Sequence, residues 1–167
     1  MRKFISVICL LSLIFLSSCT GNSAKKITVA DAGYTCSGLV NYGENFSSNI
    51  TVNAIGGGVF SLTINTPEDI DGLTFYFDNS EMTITYKGVE SQNSFPLEYG
   101  GFAEILNEIF LKFTTSKFEI LNKNGIYVYE GSNSKYSFEI VFNEEGFPLS
   151  IAVDEENLKA TFSNWRY

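Results

Sequence analysis

"KYSFEIVF", residues 135–142, sets Tyr136, Phe138, Ile140 and Phe142 against Lys135, Ser137, Glu139 and Val141. Side chains that alternate this way lie on opposite faces of a β-strand, one greasy and one mostly wet, whereas a helix repeats every 3.6 residues. The same period recurs on both sides of the stretch. Downstream, Leu149, Ile151 and Val153 alternate with Ser150, Ala152 and Asp154, and Leu158, Ala160 and Phe162 alternate with Lys159, Thr161 and Ser163. Upstream it runs through Ile50, Val52 and Ala54, then Phe60, Leu62 and Ile64, then Leu73, Phe75 and Phe77, then Met82, Ile84 and Tyr86. The segments "IGGG" (55–58), "FDNSE" (77–81), "NKNG" (122–125) and "NEEG" (143–146) supply the Gly and Asn that tight reversals need. The expectation is a mainly β domain: a curved antiparallel meander of about nine or ten strands with one apolar face.

One segment departs from this period. In "LEYGGFAEILNEIFLKFTT" (97–115), Phe102, Ile105, Leu106, Ile109, Phe110 and Phe113 follow helical spacing, with Glu104, Asn107, Glu108 and Lys112 opposite. Pro96 and the Gly100-Gly101 pair place its start between residues 98 and 101. The apolar stripe is expected to pack on the concave face of the sheet. A helix of about 15 residues is roughly 22 Å long and about 10 Å across. Nine or ten strands at about 4.8 Å spacing make a sheet on the order of 45 Å wide, so the sheet must curl around the helix. Phe60, Leu62, Phe75, Phe77 and Ile84 from the first strands, and Phe138, Ile140, Leu149 and Ile151 from the last, are the candidate lining of its cavity. The pattern leaves open whether that lining encloses a ligand or is filled by its own large side chains.

The N-terminus has the parts of an export signal: basic Arg2 and Lys3, an apolar run from Phe4 to Phe15, then small residues. The run is too short for a permanent span, which takes roughly 20 residues. Leu16-Ser17-Ser18-Cys19 resembles the lipobox of bacterial lipoproteins. That resemblance implies diacylglycerol on the Cys19 thiol, residues 1–18 as signal peptide and residues 19–30 as lipidated cysteine and tether. Residues 31–167 then form the β domain, anchored to the membrane without spanning it.

The whole chain has 11 Lys+Arg, 19 Asp+Glu and no His. An acidic chain of this kind has nothing to neutralise a row of phosphates, so nucleic acid is not an expected partner. Without His there is no Ser-His-Asp arrangement, no imidazole ligand and no imidazole acid-base chemistry. Glu68-Asp69-Asp71, Glu144-Glu145 and Asp154-Glu155-Glu156 fall where turns are expected, and none has the alternating ligands and glycine of a calcium loop. No catalytic residue, metal site or cofactor is expected. If Cys19 carries lipid, Cys36 has no cysteine partner within the mature chain and reads as a small buried hydrophobe. Tyr76, Tyr127 and Tyr129 are candidates for the wet face, where tyrosine beside Thr and Ser can meet a sugar or a protein.

A lipobox, a curved meander, and one apolar helix between two groups of strands together resemble the LolA/LolB-like lipoprotein-carrier fold, an open half-barrel that holds acyl chains. The block "PEDIDGLTFYFDNSEMTITYKGVE" (67–90) resembles small LolA-like lipoproteins of Gram-positive bacteria, germination lipoproteins among them. The long N-terminal helix of LolA has no counterpart, since "KKITVADAG" (25–33) is short and β-branched. The basic residue of the carrier's cavity also has none. The resemblance implies an extracytoplasmic, lipid-anchored protein whose half-barrel takes an acyl chain or other apolar ligand. The alternative from the residues is a filled core, with function exerted through a protein partner in the envelope or spore.

Overall fold

The computed structural model describes residues 33–79, 81–92, 101–115, 120–123 and 126–167. The expected signal peptide, Cys19, the whole of the tether and the Asn124-Gly125 turn lie outside them. β1 (Tyr34–Tyr42), β2 (Phe46–Gly56), β3 (Val59–Ile64), β4 (Thr74–Asp78), β5 (Glu81–Tyr86) and β6 (Val89–Gln92) precede one helix, α1 (Gly101–Thr115). β7 (Leu121–Lys123), β8 (Ile126–Ser132), β9 (Ser137–Phe142), β10 (Pro148–Val153) and β11 (Leu158–Arg166) follow it. All eleven strands form one sheet in the order β6-β5-β4-β3-β2-β1-β11-β10-β9-β8-β7. Every pairing is antiparallel, and the sheet is curved and open.

This order follows from two meanders joined at their first and last strands. β1 pairs with β2 on one side and β11 on the other, so both ends of the domain lie at the middle of the sheet. The two edges, β6 and β7, are joined in sequence through α1. The connection from one edge to the other therefore carries the helix across the sheet, and the edges must curl toward it.

The alternating residues behave as period two requires. Ile50, Val52 and Ala54 in β2, Phe60, Leu62 and Ile64 in β3, and Phe138, Ile140 and Phe142 in β9 are all buried, while their neighbours are exposed or half-buried. Phe102, Ile105, Leu106, Ile109 and Phe110 of α1 are buried in the same cluster. The acidic runs fall in turns: short 3-10 turns at Glu68–Ile70 and Asp154–Glu156, and a tight reversal at residues 143–147. There, the Asn143 side-chain oxygen accepts the Glu145 and Phe147 backbone N–H groups at 3.0 and 2.9 Å. Gly56, Gly57 and Gly58 all adopt positive φ, the conformation that turns β2 into β3 and that residues with a Cβ rarely take. Among the described residues no helix is long and apolar enough to cross a membrane.

Candidate ligand site between the helix and the sheet

Eight of the nine expected lining residues come together. Phe60, Leu62, Phe75, Phe77, Ile84, Phe138, Ile140 and Ile151 are buried in one apolar cluster with α1. Leu149 is the exception and corrects the expected register: it is 40% exposed. A bulge between Pro148 and Ser150 sets two residues of β10 against one step of β9, so Pro148 and Ile151 face inward and Leu149 does not. Simple alternation cannot register an inserted residue.

Helix and sheet meet through aromatic rings. Phe102 stacks on Phe46 with centroids 5.2 Å apart and meets Phe75 edge-on at 6.1 Å. Just over two turns on, Phe110 stacks on Phe60 at 5.1 Å and meets Phe162 edge-on at 5.7 Å. Such pairs contribute about 0.5–1.5 kcal/mol each beyond the area they bury.

The two flanks of α1 are held differently. On the flank facing β8 and β9, Glu108 Oε2 accepts the Tyr136 hydroxyl at 2.7 Å and the Asn133 side-chain N–H at 3.2 Å. One turn on, Lys112 Nζ donates to the Ser132 carbonyl at 2.8 Å and lies 5.1 Å from the centroid of the Phe138 ring. Asn133 is itself fixed, since its side-chain oxygen accepts the backbone N–H groups of Lys135 and Tyr136. Burial, reinforced by the bond to Glu108, pushes the Tyr136 phenol well above its ordinary range. The Lys135–Glu108 ion pair at 3.8 Å is exposed on both sides, and pairs of that kind contribute little.

The opposite flank carries Ala103, Asn107 and Leu111, spaced four apart and therefore on one face of the helix. Here the expectation for Asn107 is overturned. It does not sit among the exposed polar residues but is 5% exposed, and its side-chain oxygen is buried without a hydrogen-bond partner among the described residues. An orphaned buried acceptor costs roughly 1–3 kcal/mol. The signal for this burial was present in the apolar Ala103 and Leu111 one turn on either side.

One turn from Asn107, Leu111 and Phe110 line a cleft against Tyr34, Ala54, Gly56, Gly58, Val59 and Phe60. Its volume is about 20 Å³, room for about one water. Anything larger enters only if α1 moves away from β2 and β3.

A second concavity lies on the other face of the sheet. It is a groove of about 830 Å³ lined by polar Glu130, Ser132, Ser137, Glu139, Asp154 and Glu155 together with Tyr129, Gly131, Phe138 and Ala152, from β8, β9, β10 and the turn after it. A Cβ on Gly131 would stand 2.5 Å from the Phe138 ring, so the glycine lets the two strands' aromatic packing close. Backbone N–H groups of Glu155 itself and of Ser137 hold the Glu155 carboxyl below its usual range. No group of three or more His, Cys, Asp or Glu placed to hold a metal occurs among the described residues. Of the tyrosines expected on the wet face, Tyr76 is 38% exposed, whereas Tyr127 is buried and Tyr129 packs against the core.

No family model matches the chain, and no curated protein matches it. Among solved structures, an uncharacterized conserved protein from Thermus thermophilus is similar at 8% identity, covering 82% of this chain and 79% of that one, with a TM-score of 0.49. A LolA superfamily protein from Nitrosomonas europaea is similar at 8% identity over 86% and 89% of the two chains, with a TM-score of 0.44. A domain described as an outer membrane lipoprotein-sorting protein, from Vibrio parahaemolyticus, is similar at 12% identity over 80% and 84%, with a TM-score of 0.38.

Proposed function

We propose that the chain is an extracytoplasmic lipoprotein, anchored through Cys19, that binds an acyl chain or other apolar ligand between α1 and the concave face of its sheet. The observation that carries this reading is the unequal fastening of α1. Charge-assisted hydrogen bonds at Glu108 and Lys112 tie one flank to residues 132–136, and on the other side Phe110 stacks on Phe60 beside a cleft. Apolar contacts can be exchanged for contacts with an apolar ligand at small net cost, because both bury the same surface from water. The polar bonds have no such substitute. A helix held this way can swing open on one side while staying attached on the other.

The test is a titration of the full chain carrying Cys19→Ser with cis-parinaric acid, whose fluorescence rises on leaving water. A saturable rise fitting one site, displaced by palmitate, is expected. A response that stays linear, or is absent, sinks the reading.

The buried lining favours a second reading, in which the core is complete and the function is exerted through a protein partner in the envelope or spore. Crosslinking that retains such a partner from a chain that takes up no lipid would establish it.

A further inference from the structure

Because every pair of neighbouring strands is antiparallel, the reversals fall alternately at the two ends of the sheet. One end carries the reversals at 43–45, 65–73, 87–88, 133–136 and 154–157, where Glu44, Glu68, Asp69, Asp71, Asp154 and Glu155 all stand exposed. The other end carries the start of β1, the end of β11 and the reversals that follow β2, β4 and β9. Apart from Arg166, no side chain in the middle of this second end, residues 33–34, 54–59 and 164–167, is charged. Its β2–β3 tip reads "IGGGV" (55–59), and Ile55 there is 53% exposed and outside the core cluster. Beside the tip, β11 runs out through Trp165, which packs on Tyr34 and Phe147 at 5.2 and 5.0 Å, to Tyr167, which is 85% exposed. The acidic pairs of this end, Asp78 with Glu81 and Glu144 with Glu145, lie on the reversals to either side.

We infer that this second end is a membrane-docking surface, with Ile55 of the uncharged tip and Trp165 and Tyr167 of β11 seated in the interface of the bilayer that holds Cys19. The inference rests on the proposed anchor and apolar site, and adds to them an orientation and a route for the ligand. The chain enters the domain at this end, where the Gly33 backbone N–H donates to the Ala54 carbonyl at 2.9 Å. Residues 19–32 reach at most about 45–50 Å when fully extended. Seating the acidic end instead would stretch them along the length of the sheet, about 35 Å for the 11 residues of β2. It would also draw the exposed carboxylates of that end out of water, which is costly. Trp and Tyr favour the membrane–water boundary, and Ile55 loses contact with water there. The flanking acidic pairs stay at headgroup level, so the contact is apolar and owes nothing to attraction by anionic lipid. Tyr34, Gly56, Gly58 and Val59, which line the cleft beside Leu111, belong to the same end. An acyl chain therefore passes from the bilayer to the edge of α1 without crossing water.

Trp165 is the one tryptophan of the chain, so its emission reports on this end alone. The experiment expresses the full chain in a bacterium, reconstitutes the product in phosphatidylcholine vesicles, and compares vesicles with and without bromine on the acyl chains. Flotation with the vesicles shows the anchor. Trp165 emission is expected to fall at least twofold in the brominated vesicles. A tryptophan placed at the acidic end, Glu68→Trp in a Trp165→Phe background, is expected to keep its emission. Ile55→Asp is expected to halve the quenching of Trp165 while cis-parinaric acid added from solution binds as tightly as before, which separates the docking surface from the ligand site. A chain that floats with Trp165 unquenched, or with both tryptophans quenched equally, overturns the inference and leaves the anchor standing. So does quenching that Ile55→Asp does not change. A chain that fails to float removes the anchor and the inference together.

Discussion

Cys36 shows how a single side chain couples burial to pH. It is 1% exposed in β1, and burial pushes its thiol up to about 12 from 9.0. In the unfolded chain the thiol ionises near its ordinary value, so above about pH 9 the unfolded state sheds a proton that the folded state keeps. Stability is therefore full below pH 9 and falls as pH rises from there toward 12, by up to about 1.4 kcal/mol per pH unit. Urea unfolding at pH 8, 9 and 10 should show this decline, and Cys36→Ala should flatten the step between 9 and 10. An unchanged slope would mean that the thiol is not buried as described. Cys36 and Asn107 also mark what single residues disclose in sequence. A cysteine in an alternating strand is recognisable as core by period. Asn107 looked polar and was placed on the wet side, because its burial depends on how far the sheet wraps around the helix.

Among the elements, seven strands, β2, β3, β4, β5, β9, β10 and β11, were legible because alternating residues mark each of them, with Leu149 in β10 the departure. β8 buries the adjacent Tyr127 and Val128 and shows no such period. β6 and β7, with four and three residues, are too short to show a period and owe their pairing to the neighbours they extend. The bulge that turns Leu149 outward was invisible for a related reason: alternation has no symbol for an extra residue. The helix was legible in extent, and Gly101–Thr115 begins at the glycine pair that marked it. Its polar fastening was not, since Glu108 and Tyr136 are 28 residues apart and meet only once α1 lies across the sheet. Register can be probed directly. Phe75 and Ile140 are fully buried, in β4 and β9 on opposite wings of the sheet. Phe75→Asp or Ile140→Asp places an unpaired carboxylate in the apolar face, a change costing several kcal/mol and sufficient to unfold a domain of ordinary stability. Circular dichroism should show loss of the β signal in each. A soluble variant with unaltered melting would mean that these positions face solvent.

At the scale of the whole molecule, the first and last strands, β1 and β11, pair at the middle of the sheet, its edges are joined in sequence through α1, and among the described residues α1 is the one helix set against its apolar face. Shape therefore poses the functional question that no catalytic motif answers. Among the described residues, the cleft beside Leu111 holds about 20 Å³, so a ligand entering there requires motion of α1 about its Glu108 and Lys112 contacts. The sequence could announce the curl, because one helix is narrower than the sheet it serves. It could not announce whether the face would be filled, because that depends on how closely ring packets such as Phe46–Phe102 and Phe60–Phe110 interlock. Native mass spectrometry with lipid extraction, on the full chain carrying Cys19→Ser before and after incubation with lipids, addresses this most directly. A half-barrel that opens for apolar cargo predicts bound lipid at near-stoichiometric occupancy. A clean apo mass that stays clean after incubation would mean that α1 never leaves the sheet and that the core is complete in itself.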